Sequence, residues 1–255
     1  MDLTTIQDHV TALMLHVVRT GAFLAVVPFF GRQGDSAMLR LVLGVALGAV
    51  FWWVGTQSVP APQHVLELGV MAVREGVIGI ALGFALTTMT SMLVSAGEIV
   101  SSEMGFSMAR TMNPDSGIDA TVVSQLMQVL GFLLILQLDL HHEALRVLQH
   151  TFAACPIGQP FDFTPLWLGL QALVAGSIEL ALQYAFPILG LMLLATLGLV
   201  LLGRAVPAIN LMEFGFGLKI LLAMLALMTF LGEGAPFLLD VFQAFLRGAR
   251  AMFPL

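Results

Sequence analysis

LWLGLQALVAGSIELALQYAFPILGLMLLATLGLVLLG, residues 166–203, decides the fold class. It holds one charged side chain, Glu179, among apolar and small residues. Backbone groups placed in hydrocarbon must be satisfied within their own segment, so such a stretch forms a helix. At ~1.5 Å per residue, Leu166–Leu202 is about 55 Å long as a straight helix. A bilayer core is only about 30 Å thick. The block therefore bends back, breaks or projects beyond the bilayer, and Pro187 is the candidate break because it removes one helix hydrogen bond.

The rest of the chain repeats this pattern. Further apolar blocks run over Val10–Phe30, Leu39–Val54, Val65–Gly97, Thr121–Leu138 and Leu211–Leu246. Val65–Gly97 is also too long for one straight span, at about 50 Å on the same rise. Leu39–Val54 and Thr121–Leu138 are marginally short. Pro236, beside Gly232 and Gly234, is a second candidate break. Of 255 residues, 58% are hydrophobic and 10% charged, and mean hydropathy is +0.96. No water-soluble fold of this length hides that much apolar surface. The expectation is an all-α integral membrane protein. No stretch shows the short alternation of an outer-membrane barrel.

Composition excludes several functions. Ten basic residues and a net charge of −6 leave no cationic surface for nucleic acid. A single cysteine, Cys155, permits no internal disulfide and no cysteine zinc cage. No Lys or Arg precedes Arg19, so a cleavable signal peptide is not expected. His141-His142-Glu143 invites a zinc reading, but HExxH needs a second histidine where Arg146 stands. Neither GxSxG nor a P-loop occurs, which argues against serine or ATP chemistry. The basic residues divide almost evenly between the two sides of a six-span arrangement, so charge does not set orientation.

Charges interrupt the apolar blocks at Arg19, Arg74, Glu75 and Glu179. Such residues are costly in a membrane and face protein or water. They mark either a proton or ion pathway or segments packed in an assembly; no internal partner is legible for any of them. Arg74 and Glu75 are neighbours, about 100° apart around a helix, and cannot simply neutralise one another. Glu179 and Gln183 share a face. Gly44/Gly48 and Gly79/Gly83 are GxxxG pairs that let backbones approach, within this chain or against another subunit.

Residues 95–119 are the most unusual stretch, with Met104, Gly105, Phe106, Met108, Met112 and the turn pair Asn113-Pro114. Gly97-Glu98-Ile99, Met104-Gly105-Phe106-Ser107 and Asn113-Pro114 resemble the central signature of the FliR family of type III secretion export-gate proteins, flagellar or virulence. Arg204-Ala205-Val206-Pro207-Ala208-Ile209-Asn210, followed by Phe214-Gly215-Phe216-Gly217-Leu218-Lys219, is similar to that family's R-x-x-P-x-x-N…G-F-P-x-K segment, with Gly217 in place of proline. Supporting pieces are Arg19…Pro28-Phe29-Phe30-Gly31, Glu75…Gly79…Gly83-Phe84 and Pro156-Ile157-Gly158.

The resemblance implies bent helical hairpins like a fused FliP-like unit, residues 1–150, and FliQ-like unit, residues 151–255. It implies a non-enzymatic core subunit, without metal or other cofactor, of a multi-pass gate in the bacterial inner membrane, within the flagellar basal body. FliP and FliQ are the implied gate partners, with FlhB and FlhA beside them, and unfolded flagellar polypeptides the cargo. Met104, Gly105, Phe106, Met108, Met112, Asn113 and Pro114 correspond in position to a loop that plugs the closed pore. Glu75, Gly79, Gly83, Glu98, Glu179, Arg204, Pro207, Asn210 and Lys219 are implied at subunit or helix contacts. The alternatives are a virulence export gate, a proton-coupled secondary transporter using Arg74, Glu75 and Glu179, and an intramembrane protease, which the failed HExxH pattern opposes.

Overall fold

The computed structural model describes residues 3–27, 37–55, 59–60, 62, 64–105, 121–206 and 211–253. These form seven helices and no strand among the described residues: α1 (Leu3–Val26), α2 (Ala37–Gly55), α3 (Val65–Met104), α4 (Val122–Gln137), α5 (Leu140–Ala154), α6 (Thr164–Ala205) and α7 (Leu211–Ala251). Four helical stretches are long and apolar enough to cross a membrane: Thr5–Val26, α2, α3 and α6. A fifth arises if α4 and α5, bent by 72° at their junction, make one span. The protein is an all-α membrane protein.

Two expectations about breaks are corrected. The 42-residue α6 runs through Pro187, and the 41-residue α7 runs through Pro236. A proline removes only its own N–H from the ladder, whereas ending a helix in apolar surroundings strands several backbone groups at once. The helices therefore continue. The sequence reading also passed over α5 as an element. Its hydrophobic positions lie on one face only, with Leu140, Ala144, Val147, Leu148, Thr151 and Phe152 buried. This one-sided stripe shows as helical periodicity, not as an apolar run.

The chain folds as two compact units. The first comprises Met1–Thr88, Ile135–Val174 and Ala244–Leu255; the second comprises Met89–Leu134 and Ala175–Gln243. Glycines bring the helices of the first unit together. A Cβ on Gly48 in α2 would lie 2.8 Å from Val17 Cα in α1. One on Gly83 in α3 would lie 2.9 Å from the Phe23 carbonyl, and one on Gly79 would overlap the Arg19 carbonyl. Both GxxxG pairs thus meet α1 within the chain, backbone against backbone, where any side chain displaces a helix. Thr87 Oγ donates to the Val26 carbonyl at 3.0 Å and occupies an acceptor at the end of α1.

This geometry predicts opposite results for two neighbouring glycines. Gly79→Ala should cost about 1–3 kcal/mol by overpacking. Gly76→Ala should be neutral or slightly stabilising, because its Cβ would meet nothing nearer than Val18 Cγ1 at 3.9 Å. Thermal unfolding of the two variants in detergent, followed by circular dichroism, checks the difference.

The second unit has a methionine-rich core, with Met89, Met92, Met104, Met127 and Met192 buried. Here α3 and α4 touch through glycine: a Cβ on Gly97 would sit 2.7 Å from Ser124 Cα.

Candidate functional site

A buried polar cluster in the first unit surrounds Arg19. Its side chain is wholly buried, as is that of Glu75 to within 1%. Arg19 Nε donates to Glu75 Oε2 at 2.7 Å, and the Nη2 nitrogen lies 2.5 Å from the same oxygen. The remaining donors turn to α5. Nη1 donates to the Thr151 carbonyl at 2.8 Å and Nη2 to the Cys155 carbonyl at 2.9 Å. The guanidinium also lies over the Phe152 ring, 4.5 Å from its centroid, and the His16 ring stacks on Phe152 with centroids 4.9 Å apart.

The chemistry of this arrangement is that of a clamp. The last carbonyls of a helix have no intrahelical partner and carry partial negative charge. Arg19 donates to the Cys155 carbonyl at the end of α5, adds a second donor to the Thr151 carbonyl, which also accepts from the Cys155 amide at 2.9 Å, and binds the carboxylate of α3. Only a planar fork can address all three at once. Glu75 was expected to stand without an internal partner; the structure supplies Arg19. Glu75 is buried and held by Arg19.

Glu98 does comparable work in the second unit. Its Oε1 accepts from the Thr121 amide at 3.0 Å and from Ser124 Oγ at 2.6 Å. Both residues stand at the start of α4, where free amides and the helix dipole favour an anion. Gly97 permits the close approach that brings Glu98 there. The Gly97-Glu98 pair is thus one device: the glycine admits α4 and the carboxylate caps it.

The sequence profile described as "Bacterial export proteins, family 1" matches residues 10–246. The chain belongs to that family. Flagellar biosynthetic protein FliR of Caulobacter vibrioides is 27% identical over 222 residues, covering 87% of this chain and 88% of that protein. FliR of Escherichia coli (strain K12) is 29% identical over 233 residues, with 89% and 87% covered. FliR of Bacillus subtilis is 25% identical over 231 residues, with 89% and 88% covered. The match takes in both signature segments, residues 97–114 and 204–219, so the resemblance read from them agrees with the wider comparison.

Within the export-family sequence, the other singled-out residues fall as follows. Met104 is buried at the end of α3. Gly105 follows with φ 89°, a left-handed turn that favours glycine, and a Cβ there would press on the Phe216 ring at 3.2 Å. Phe106, Met108, Met112, Asn113 and Pro114 lie outside the described residues, as do Pro207 and Asn210. Arg204 is exposed in the last turn of α6, where a cation suits the helix dipole, and Lys219 is half-buried in α7. Glu179 is exposed on α6 and accepts from Gln183 Nε2 at 3.2 Å.

Arg146, which stands where a zincin histidine belongs, pairs instead with Glu143; Arg250 of α7 reaches the same carboxylate at 2.6 Å. Asp139, His141 and His142 bring their ligand-type atoms within 4.8 Å of one another at the α4–α5 bend, a largely exposed position. Asp162 stands two residues before α6: the Thr164 amide and hydroxyl, at 2.9 and 2.7 Å, hold its carboxyl below the usual aspartate range.

Sequence reasoning missed Thr151, Cys155 and Phe152 as partners of Arg19. The carbonyls are backbone groups, and they lie 132 and 136 positions from the arginine. No periodicity reports such pairs. The one available signal was a lone arginine within an apolar block, which demands some acceptor.

Proposed function

We propose that this chain is a core subunit of a type III protein-export gate, forming with FliP and FliQ the pore through which unfolded flagellar subunits cross the bacterial inner membrane. The observation that carries the reading is the family match over residues 10–246, in relatives whose own lengths are almost fully covered. The flagellar branch is preferred because the relatives cited are flagellar biosynthetic proteins. In this reading residues 1–150 form the FliP-like part and 151–255 the FliQ-like part, and FlhB and FlhA adjoin the gate. The basal body is its location, and energy comes from partners, since the sequence carries no nucleotide motif.

The segment from Met104 to Pro114 closes the pore at rest in this proposal. In support, α3 ends at Met104, and Gly105 turns the chain just where the segment begins. The fixed Arg19–Glu75 pair supports a structural part rather than a proton carrier.

Co-production tests the assignment. The chain made alone should be degraded, and production together with FliP and FliQ should yield a stable complex that needs both. A monodisperse, long-lived monomer, indifferent to those subunits, overturns the reading. So does a wild-type copy that fails to restore motility to a strain lacking its own FliR.

A further inference from the structure

One face of α3 is left largely uncovered by the described residues. Leu66, Val70, Val73, Val77, Ile80 and Phe84 are 82, 64, 68, 40, 50 and 44% exposed. Their spacings alternate four, three, four, three, four. That is a seven-residue repeat, which keeps side chains on one seam suited to a second helix.

Beside the seam stands Arg74. It is half-buried, and its Nε and Nη2 are shielded from solvent without meeting an acceptor among the described residues. The adjacent carboxylate, Glu75, is already engaged by Arg19. The helices also fix its level. Gly76 lies against Val18 and Gly79 against Arg19 and Ala22, so Arg74 stands beside the middle of the apolar stretch Thr5–Val26. A guanidinium there is costly against lipid and demands an anion.

A comparison within the same unit separates lipid from protein as the occupant. On α2, Leu41, Val42, Val45, Val50, Trp53 and Val54 are also exposed, but no charged residue occurs from 41 to 55. That surface suits lipid as it stands. The α3 face does not, because of Arg74.

We propose that this face of α3 is the docking seam for an apolar helix of another export-gate subunit, and that this helix carries a carboxylate opposite Arg74. The inference rests on the export-gate reading and adds to it the face, the contact residue and the chemistry of the partner. The seam supplies side-chain interdigitation, and the ion pair sets register, since a shift along the seam leaves two charges unpaired in an apolar contact.

The test uses the complex assembled in cells that co-produce the chain with its gate partners. Spin labels are placed at Val73→Cys and Val77→Cys, with Val45→Cys on α2 as the lipid-facing control; the native Cys155 is buried and stays unlabelled. On assembly the two α3 labels should lose their accessibility to lipid-dissolved oxygen, and the α2 label should keep it. Arg74→Met should lower recovery of the complex roughly tenfold or more, as expected for one lost charge-assisted contact. Arg74→Lys should retain part of it. Arg74→Glu should be rescued by exchanging a partner carboxylate for lysine. Labels that remain oxygen-accessible in an intact complex, or an Arg74→Met complex recovered at the wild-type level, overturn the docking seam and leave the export-gate reading standing. Failure of the wild-type chain to form any complex overturns both.

Discussion

Arg19→Ala is expected to destabilise the chain by about 3–5 kcal/mol, the usual cost of leaving one member of a buried ion pair unpaired. Three losses coincide. The Glu75 carboxylate is left buried without its partner; the Cys155 carbonyl loses its donor and the Thr151 carbonyl one of two; and the Phe152 ring loses its cation. Arg19→Lys should fall between, because a single ammonium cannot span a carboxylate and two carbonyls. The double exchange Arg19→Glu with Glu75→Arg discriminates further. An isolated ion pair tolerates reversal, but here a carboxylate at position 19 faces the electronegative end of α5 and is repelled. The exchange should therefore not restore stability. Unfolding in detergent reads these variants, supported by the yield of complex from cells. An Arg19→Ala chain that melts with the wild type removes the clamp from the account.

The architecture was legible because hydrocarbon leaves few choices. Long apolar runs at residues 65–97 and 166–203 could only be helices, and α3 and α6 are helices. Their limits were less legible. Pro187 and Pro236 are candidate breaks by a rule drawn from water, where a freed backbone carbonyl finds solvent. In apolar surroundings that outlet is missing, and the helix passes through. α5 escaped notice for the opposite reason. Its His, Glu, Arg and Gln residues hide a stripe that is plain only at a period of 3.6.

The polar cluster was half legible. Arg19 and Glu75 stood out as charges in apolar blocks, but their mutual distance did not, being a matter of how α1 and α3 align. Gly79 and Gly83 announced that alignment without naming α1 as the partner. For Glu98 the resemblance comes before the physics: Gly97-Glu98 belongs to the signature, and the structure supplies its reason in the Thr121 amide and the Ser124 hydroxyl at the start of α4. The expected role of residues 106–114 comes from resemblance and side-chain chemistry.

Deleting residues 106–112 from an assembled complex is expected to open an ion leak. Phe106, Met108 and Met112 are apolar and, for the thioethers, flexible. Such side chains converging in a narrow channel exclude water, and a dewetted constriction stops ions. The same groups deform around an arriving polypeptide without stranding hydrogen bonds, so the seal yields to cargo. Arg110 lies inside the segment and opposes a purely apolar seal; it needs the wall of the channel or a carboxylate on a neighbour. The deletion also removes the arginine, so a second variant, Arg110→Ala alone, separates the two effects. It should disturb closure less than the deletion does. In planar bilayers the deletion complex should pass current at rest where the parent stays silent, and cells overproducing it should grow slowly and take up small permeants. The deletion spares Met104 and Gly105, so α3 keeps its end and its turn. A loss of assembly would therefore show as lost complex rather than as leak. An intact deletion complex that holds closed as tightly as the parent places the seal in other subunits and makes this segment an ordinary connector.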